Sequence, residues 1–439
     1  MKTFTKNTAA TFIAQIVILI IGIATSIIIA RVLGPEGKGL YSLAILLPTL
    51  MATLTNFGIS PATVYLTASG SYDRKQIFGN NILFSLVIGA ISLTIGLVVV
   101  LFLKETLLPG LPMTLALVGM LVLPLTLLVE NLQKIFIGMQ KILTANILSI
   151  IYFSLSFIFI LIALFGFRSD VLGVLIASIL SLLVATIMVV LWLNRTLRGV
   201  RFSLNFPYIK STLSYGLKAH LGNILGFLNL RADMFLVNFF INPTAVGFYS
   251  ISVNIAEKLW LISKASSTVL FPKVAAEKNE QKRKEFTPII SRTMFLITVS
   301  GALILFFIVE KIIVLLYSPQ FFSSVRPLQI LLPGIAVGGA DSILAHDIAG
   351  RGKPLVNSYI SIIALIVNII LNIIWIPKFG IEGAAWASTI SYGLTFVGRV
   401  LIYSRISGNS FGVILLPQRS DVALYKKLWG LTIRKLRGR

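Results

Sequence analysis

Cysteine is absent from the 439 residues, and histidine occurs only twice. Disulfides, thiolate metal sites and a cysteine nucleophile are thereby excluded, and a zinc or haem centre has almost no donors to draw on. Charge is scarce as well: 12% of the chain is Asp, Glu, Lys or Arg, with 15 acids against 38 bases. No GxxxxGK[ST] loop occurs, so the chain carries no motif for burning ATP by itself. What replaces these residues is apolar. The hydrophobic fraction is 56% and the mean hydropathy +0.94, outside the usage of a soluble domain.

This composition predicts an all-α integral membrane protein, in which each spanning helix needs about 20 apolar residues because the backbone must bond to itself in hydrocarbon. Twelve such runs can be counted, near 9–33, 40–68, 77–103, 113–133, 143–165, 171–193, 219–241, 247–272, 288–316, 327–349, 355–376 and 383–403. The start MKTFTKNTAA is short and basic like a leader, but the apolar run behind it is long enough to span, so it reads as a retained first span.

Lys and Arg set the orientation. One set of alternate loops, with both termini, holds 26 of them and the opposite set holds six, which predicts cytoplasmic termini in a cell membrane. The net charge of +23 then faces anionic lipid and needs no nucleic-acid partner. The stretch 194–218 reads as a basic cytoplasmic linker along the membrane surface. In the tail, 404–439, Val422, Tyr425, Leu428, Trp429, Ile433 and Leu436 recur at helical spacing, as in an interfacial amphipathic helix.

The chain repeats itself. "LGPEGKGLYS" (33–42) and "INPTAVGFYS" (241–250) share Pro, Gly, Tyr and Ser at an offset of 208; "FGFRSDVLGVLIAS" (165–178) and "FGIEGAAWAS" (379–388) share Phe, Gly, Gly, Ala and Ser at offsets of 214 shrinking to 210. Each half has six spans, an even number, so the halves keep one orientation and should be related by a pseudo-twofold axis along the membrane normal. The expected architecture is an N-lobe (1–193), the linker, and a C-lobe (219–403), with a central cavity between six-helix lobes.

"ARVLGPEGKGLYS", an Arg-x-Asp inside span seven, "VGFYSISVNIAEKLWLISKASSTVLFP" and "IPKFGIEGAAWAS", in this order over essentially all twelve spans, resemble the polysaccharide-transporter (Wzx-type) flippases of the multidrug/oligosaccharidyl-lipid/polysaccharide superfamily. The resemblance implies movement of undecaprenyl-pyrophosphate-linked sugar units from the cytoplasmic to the outer leaflet by alternating access. It implies membrane lipids and polysaccharide-assembly proteins as surroundings. A cation-coupled multidrug-type exporter and a peptidoglycan-precursor flippase are the alternatives. The exporter would favour acidic cavity residues, and the precursor flippase usually has fourteen spans. A membrane enzyme needs carboxylates or histidines on a sizeable outer loop, and every expected outer loop is short.

Ionised residues inside spans are costly, at roughly 2.5 to 3.5 kcal/mol each on insertion scales, so they should face protein or a watered cavity. The candidates for binding the diphosphate headgroup are Arg231, Lys264, Lys258 and Arg292, with Arg31 at an outer mouth, since guanidinium and ammonium donors match phosphate oxygens. Asp233, Glu257 and Asp341 are candidates for charge balance or for proton or sodium coupling. No cofactor is expected. The competing reading pairs Arg231 with Glu257 or Asp341 as helix glue.

Overall fold

The computed structural model describes residues 2–203, 205–277, 279–418 and Asp421; the amphipathic pattern in the tail lies outside them. The described residues form helices: α1 (Lys2–Thr55), α2 (Ile59–Ser69), α3 (Arg74–Leu107), α4 (Met113–Met120), α5 (Val122–Gly138), α6 (Ile142–Leu161), α7 (Val171–Leu197), α8 (Phe206–Phe240), α9 (Pro243–Glu257), α10 (Leu261–Ala276), α11 (Glu280–Leu316), α12 (Val325–Gly350), α13 (Pro354–Ser407) and α14 (Phe411–Leu415). Eight helical stretches among the described residues are long and apolar enough to cross a membrane. The protein is a multi-pass membrane protein.

Two of those stretches are long enough for more than one crossing. α1 and α13 are each 54 residues long, about 80 Å at 1.5 Å per residue and far beyond a hydrocarbon core of about 30 Å. Both are bent at a single left-handed glycine, Gly34 (φ 68°) and Gly380 (φ 61°), a conformation that a side chain would strain. Spans one and two, and spans eleven and twelve, are therefore joined by helical kinks where the sequence suggests loops. Lys38 is buried within α1, its ammonium 5.9 Å from the centre of the Tyr41 ring.

The helices at expected spans seven and eight are not among the eight. α8 carries Arg231 and Asp233 in its interior. The following stretch is broken by a 3₁₀ turn, Lys258–Trp260, into α9 and α10 of 15 and 16 residues, each shorter than a membrane crossing. Elsewhere helix ends follow their caps: Asp73 accepts from Lys75 N, Asp170 from Leu172 N and Gly173 N, and Asn205 from Tyr208 N. The last of these starts α8 inside the 194–218 stretch.

The chain packs as two compact units. The first comprises 1–251, 310–324 and 376–381; the second comprises 252–309, 325–375 and 382–439. In the first, Leu66, Phe78, Leu132, Phe136, Leu193 and Tyr208 belong to one buried cluster. A polar network threads the same bundle. Asn131 donates to Ser85 Oγ at 3.1 Å and accepts from Asn56 Nδ2 at 3.2 Å and Ser60 Oγ at 2.9 Å. Side-chain bonds of this kind link helices that the hydrophobic effect does not drive together in lipid.

The repeated segments meet inside this unit. A β-carbon on Gly39 would fall 1.8 Å from the Pro243 carbonyl oxygen, and one on Gly247 would fall 2.0 Å from the Pro35 carbonyl oxygen. One turn further, Ser42 Oγ and Ser250 Oγ lie 3.5 Å apart. Each partner is the repeat equivalent of the other, the reciprocal pattern of a twofold contact.

Candidate functional site

The intramembrane charges fall into separate environments. On α8, Arg231 is half-buried and its Nη1 donates to the Leu230 carbonyl at 2.7 Å. Asp233 is buried on the same helix. One of its carboxylate oxygens accepts from the Tyr249 hydroxyl at 2.6 Å and the other from Met234 N at 2.8 Å. Tyr249 belongs to the repeated "GFYS" motif, so that motif supplies both the helix crossing and a donor to Asp233. A hydroxyl and a backbone N–H that donate to a buried carboxylate help to stabilise it in place.

Glu257 and Lys258 flank the point where α9 gives way to the 3₁₀ turn, Glu257 half-buried and Lys258 exposed. Lys264, one turn into α10, is exposed, with its ammonium 5.5 Å from the centre of the Trp260 ring. Trp260 is itself fixed, since its Nε1 donates to the Ile335 carbonyl at 2.8 Å. The ring face thus meets the lysine ammonium in a cation–π contact.

Asp341 forms an ion pair with Arg399 of α13, and Arg399 Nη2 also reaches Ser361 Oγ at 3.3 Å. The counter-ion of Asp341 is thus a residue of α13. Arg292 is buried, forked onto both oxygens of Asp421, and donates to the Val413 carbonyl at 2.9 Å. Its hydrogen bonds hold the Asp421 carboxyl below the usual carboxylate range. Arg31 is exposed, and its Nε donates to the Leu316 carbonyl at 2.7 Å, with Nη2 on that of Leu315. Near the end of α12, Asp347 is buried and bonded by Thr287 at 2.6 Å and by Arg351, which also pairs with Glu280.

Arg292 and Arg399 both pair with carboxylates of the chain. Arg399 and Tyr249 are partners of the intramembrane acids that sequence reasoning passed over. For Arg399 a signal existed, a lone arginine within an apolar span. For Tyr249 the repeat motif was visible but its hydroxyl's target was not. Among the described residues no cluster of His, Cys, Asp and Glu could hold a metal ion.

The model of the family described as polysaccharide biosynthesis protein matches residues 4–276, well over half of the chain. The chain belongs to this family. A Haloferax volcanii protein named as a low-salt glycan biosynthesis flippase, Agl15, is 26% identical over 50% of this chain and 48% of its own length. The chain spans about half the length of the first curated relatives it matches. A Shigella flexneri protein named as an O-antigen transporter is 25% identical over 91% of this chain and 98% of its own.

Solved structures agree on the fold of this family member. An inward-facing multidrug transporter of the MATE family and the MOP superfamily superposes with a TM-score of 0.74 at 16% identity, covering 89% of this chain and 95% of that one. The lipid II flippase MurJ in an inward closed conformation gives 0.72 at 17% identity, covering 98% and 99%. At these identities the likeness shows the helical transporter fold of the superfamily and leaves the cargo open.

Proposed function

We propose that the protein is a polysaccharide flippase that carries a polyprenyl-pyrophosphate-linked oligosaccharide from the cytoplasmic to the outer leaflet of the cell membrane by alternating access, with both termini cytoplasmic. Membership of the polysaccharide biosynthesis family carries this reading, and relatives named as a flippase and an O-antigen transporter support it. Between residues 226 and 266 the cations Arg231, Lys258 and Lys264 outnumber the acids Asp233 and Glu257, and Asp233 is engaged by Tyr249. That balance suits a diphosphate better than a drug-like cation, which keeps the multidrug exporter second. Forked guanidinium donors such as those of Arg231 match pyrophosphate oxygens, and such contacts strengthen in a low dielectric. The prenyl tail stays in the bilayer, and only the polar head needs shielding.

The test is depletion of the protein in its own host, followed by extraction of lipid-linked glycans and measurement of surface polysaccharide. Accumulation of the lipid-linked unit with loss of surface glycan is expected. Normal surface glycan together with increased sensitivity to cationic drugs would instead favour the exporter.

A further inference from the structure

We propose that Arg31 and the Gly39–Gly247 crossing form a releasable clamp that holds the expected outer end of the chain shut between the two sequence halves; this rests on the alternating-access reading above. Apart from α8 and the start of α9, the second half enters the first unit only through 310–324 and 376–381, the segments at its expected outer end. There Arg31 reaches the carbonyls of Leu315 and Leu316, which end α11 and have no partner further along that helix. A forked cation matches two neighbouring carbonyls and the negative end of the helix dipole.

Two further contacts lie beside this cap. Ser324 Oγ donates to the Phe248 carbonyl at 2.9 Å, and the Phe248 and Phe321 rings pack edge to face at 6.0 Å. Beyond them is the glycine crossing, where backbone meets backbone. The left-handed Gly34 falls between Arg31 and Gly39, so the two fixed points flank a joint in α1. None of these contacts is an ion pair. An exposed arginine on carbonyls and a van der Waals crossing can part without stranding a buried charge, as a clamp opened once per cycle requires.

The native chain has no cysteine, so a single cysteine at Ser250, buried beneath the crossing, reports its opening. In the full-length protein in cells, alkylation by a membrane-impermeant maleimide from outside is expected to quicken about tenfold in Arg31→Ala, the loss of a charge-assisted bond. Arg31→Lys, which lacks the fork, should fall between. A second reporter at Ser42 guards against a Ser250 variant that does not fold. Unchanged outside labelling at both reporters, with normal membrane abundance, overturns the clamp, as does quickening only from the cytoplasmic side. Labelling needs no cargo: faster labelling in a protein whose depletion leaves surface glycan intact keeps the clamp and removes the flippase reading. Glycan loss on depletion with unchanged labelling removes the clamp alone.

Discussion

Asp341 of α12 pairs with Arg399 of α13, 58 residues on, while Asp341 Oδ1 and Arg399 Nε are buried without a hydrogen-bond partner. A pair so placed is costly to break and cheap to remove whole. Loss of one partner leaves a buried charge, at about 3 to 5 kcal/mol, whereas neutralising both is often near neutral. Asp341→Asn and Arg399→Gln are each expected to lower the amount of protein in the membrane, and the double variant to restore it. Transport assayed beside abundance separates the roles. Recovery of both makes the pair helix glue, and recovery of abundance alone makes Asp341 a coupling carboxylate.

The reciprocal contact of Gly39 and Gly247 gives a second expectation. Any side chain at either position meets a backbone oxygen within 2.0 Å, so the helices must separate. Gly39→Ala and Gly247→Ala should each cost about 1 to 3 kcal/mol, as overpacking does, seen as a lower melting temperature in detergent. Because they share one crossing, the double variant should lose less than the sum of the two.

The same crossing shows how much of the molecule the sequence discloses. The repeat at offset 208 is legible in the letters, and so is the helical membrane class, because apolar runs and a shortage of charge leave no other solvent. That Pro35 and Gly247 touch is not legible, since periodicity reports which residues are equivalent and not which are in contact. The joints at Gly34 and Gly380 escape for a related reason: a glycine within three residues of a proline reads as a loop, yet one left-handed residue lets two helices run on with no loop between. Arg231, Lys264 and Asp341 stand out as intramembrane charges, but their partners depend on tertiary packing. Asp341 meets Arg399 and Lys264 lies over Trp260, and neither pairing has a signature along the chain.

A third expectation concerns pH at the Arg292–Asp421 pair. Its hydrogen bonds to Arg292 lower the Asp421 pKa in the folded chain, so the carboxylate contributes stability above its unfolded value of about 3.9. That contribution is lost as pH falls through the lower, folded value. A spin label at the exposed Leu416 should gain mobility only in strong acid in the native background. In Arg292→Gln it should already be mobile at neutral pH. Equal mobility of the two proteins at pH 7 would show that the pair does not hold the 411–421 segment.

The last expectation returns to Arg231, half-buried on α8 two residues before an acid that accepts from Tyr249. If Arg231 binds pyrophosphate, its contribution comes from a permanent charge and a forked donor set. Arg231→Lys should then keep part of the export and Arg231→Gln should lose most of it, with membrane abundance close to normal in both. If Arg231 is a structural counter-ion, Arg231→Gln strands a carboxylate and the loss appears in abundance first. Glu257→Gln added to Arg231→Gln decides between the two, because neutralising the acid relieves a stranded charge but cannot recreate a phosphate ligand. Full recovery of surface glycan in that double variant would end the headgroup role. Recovered abundance with export still absent would leave the phosphate contact as the reason the chain keeps an arginine within this apolar helix.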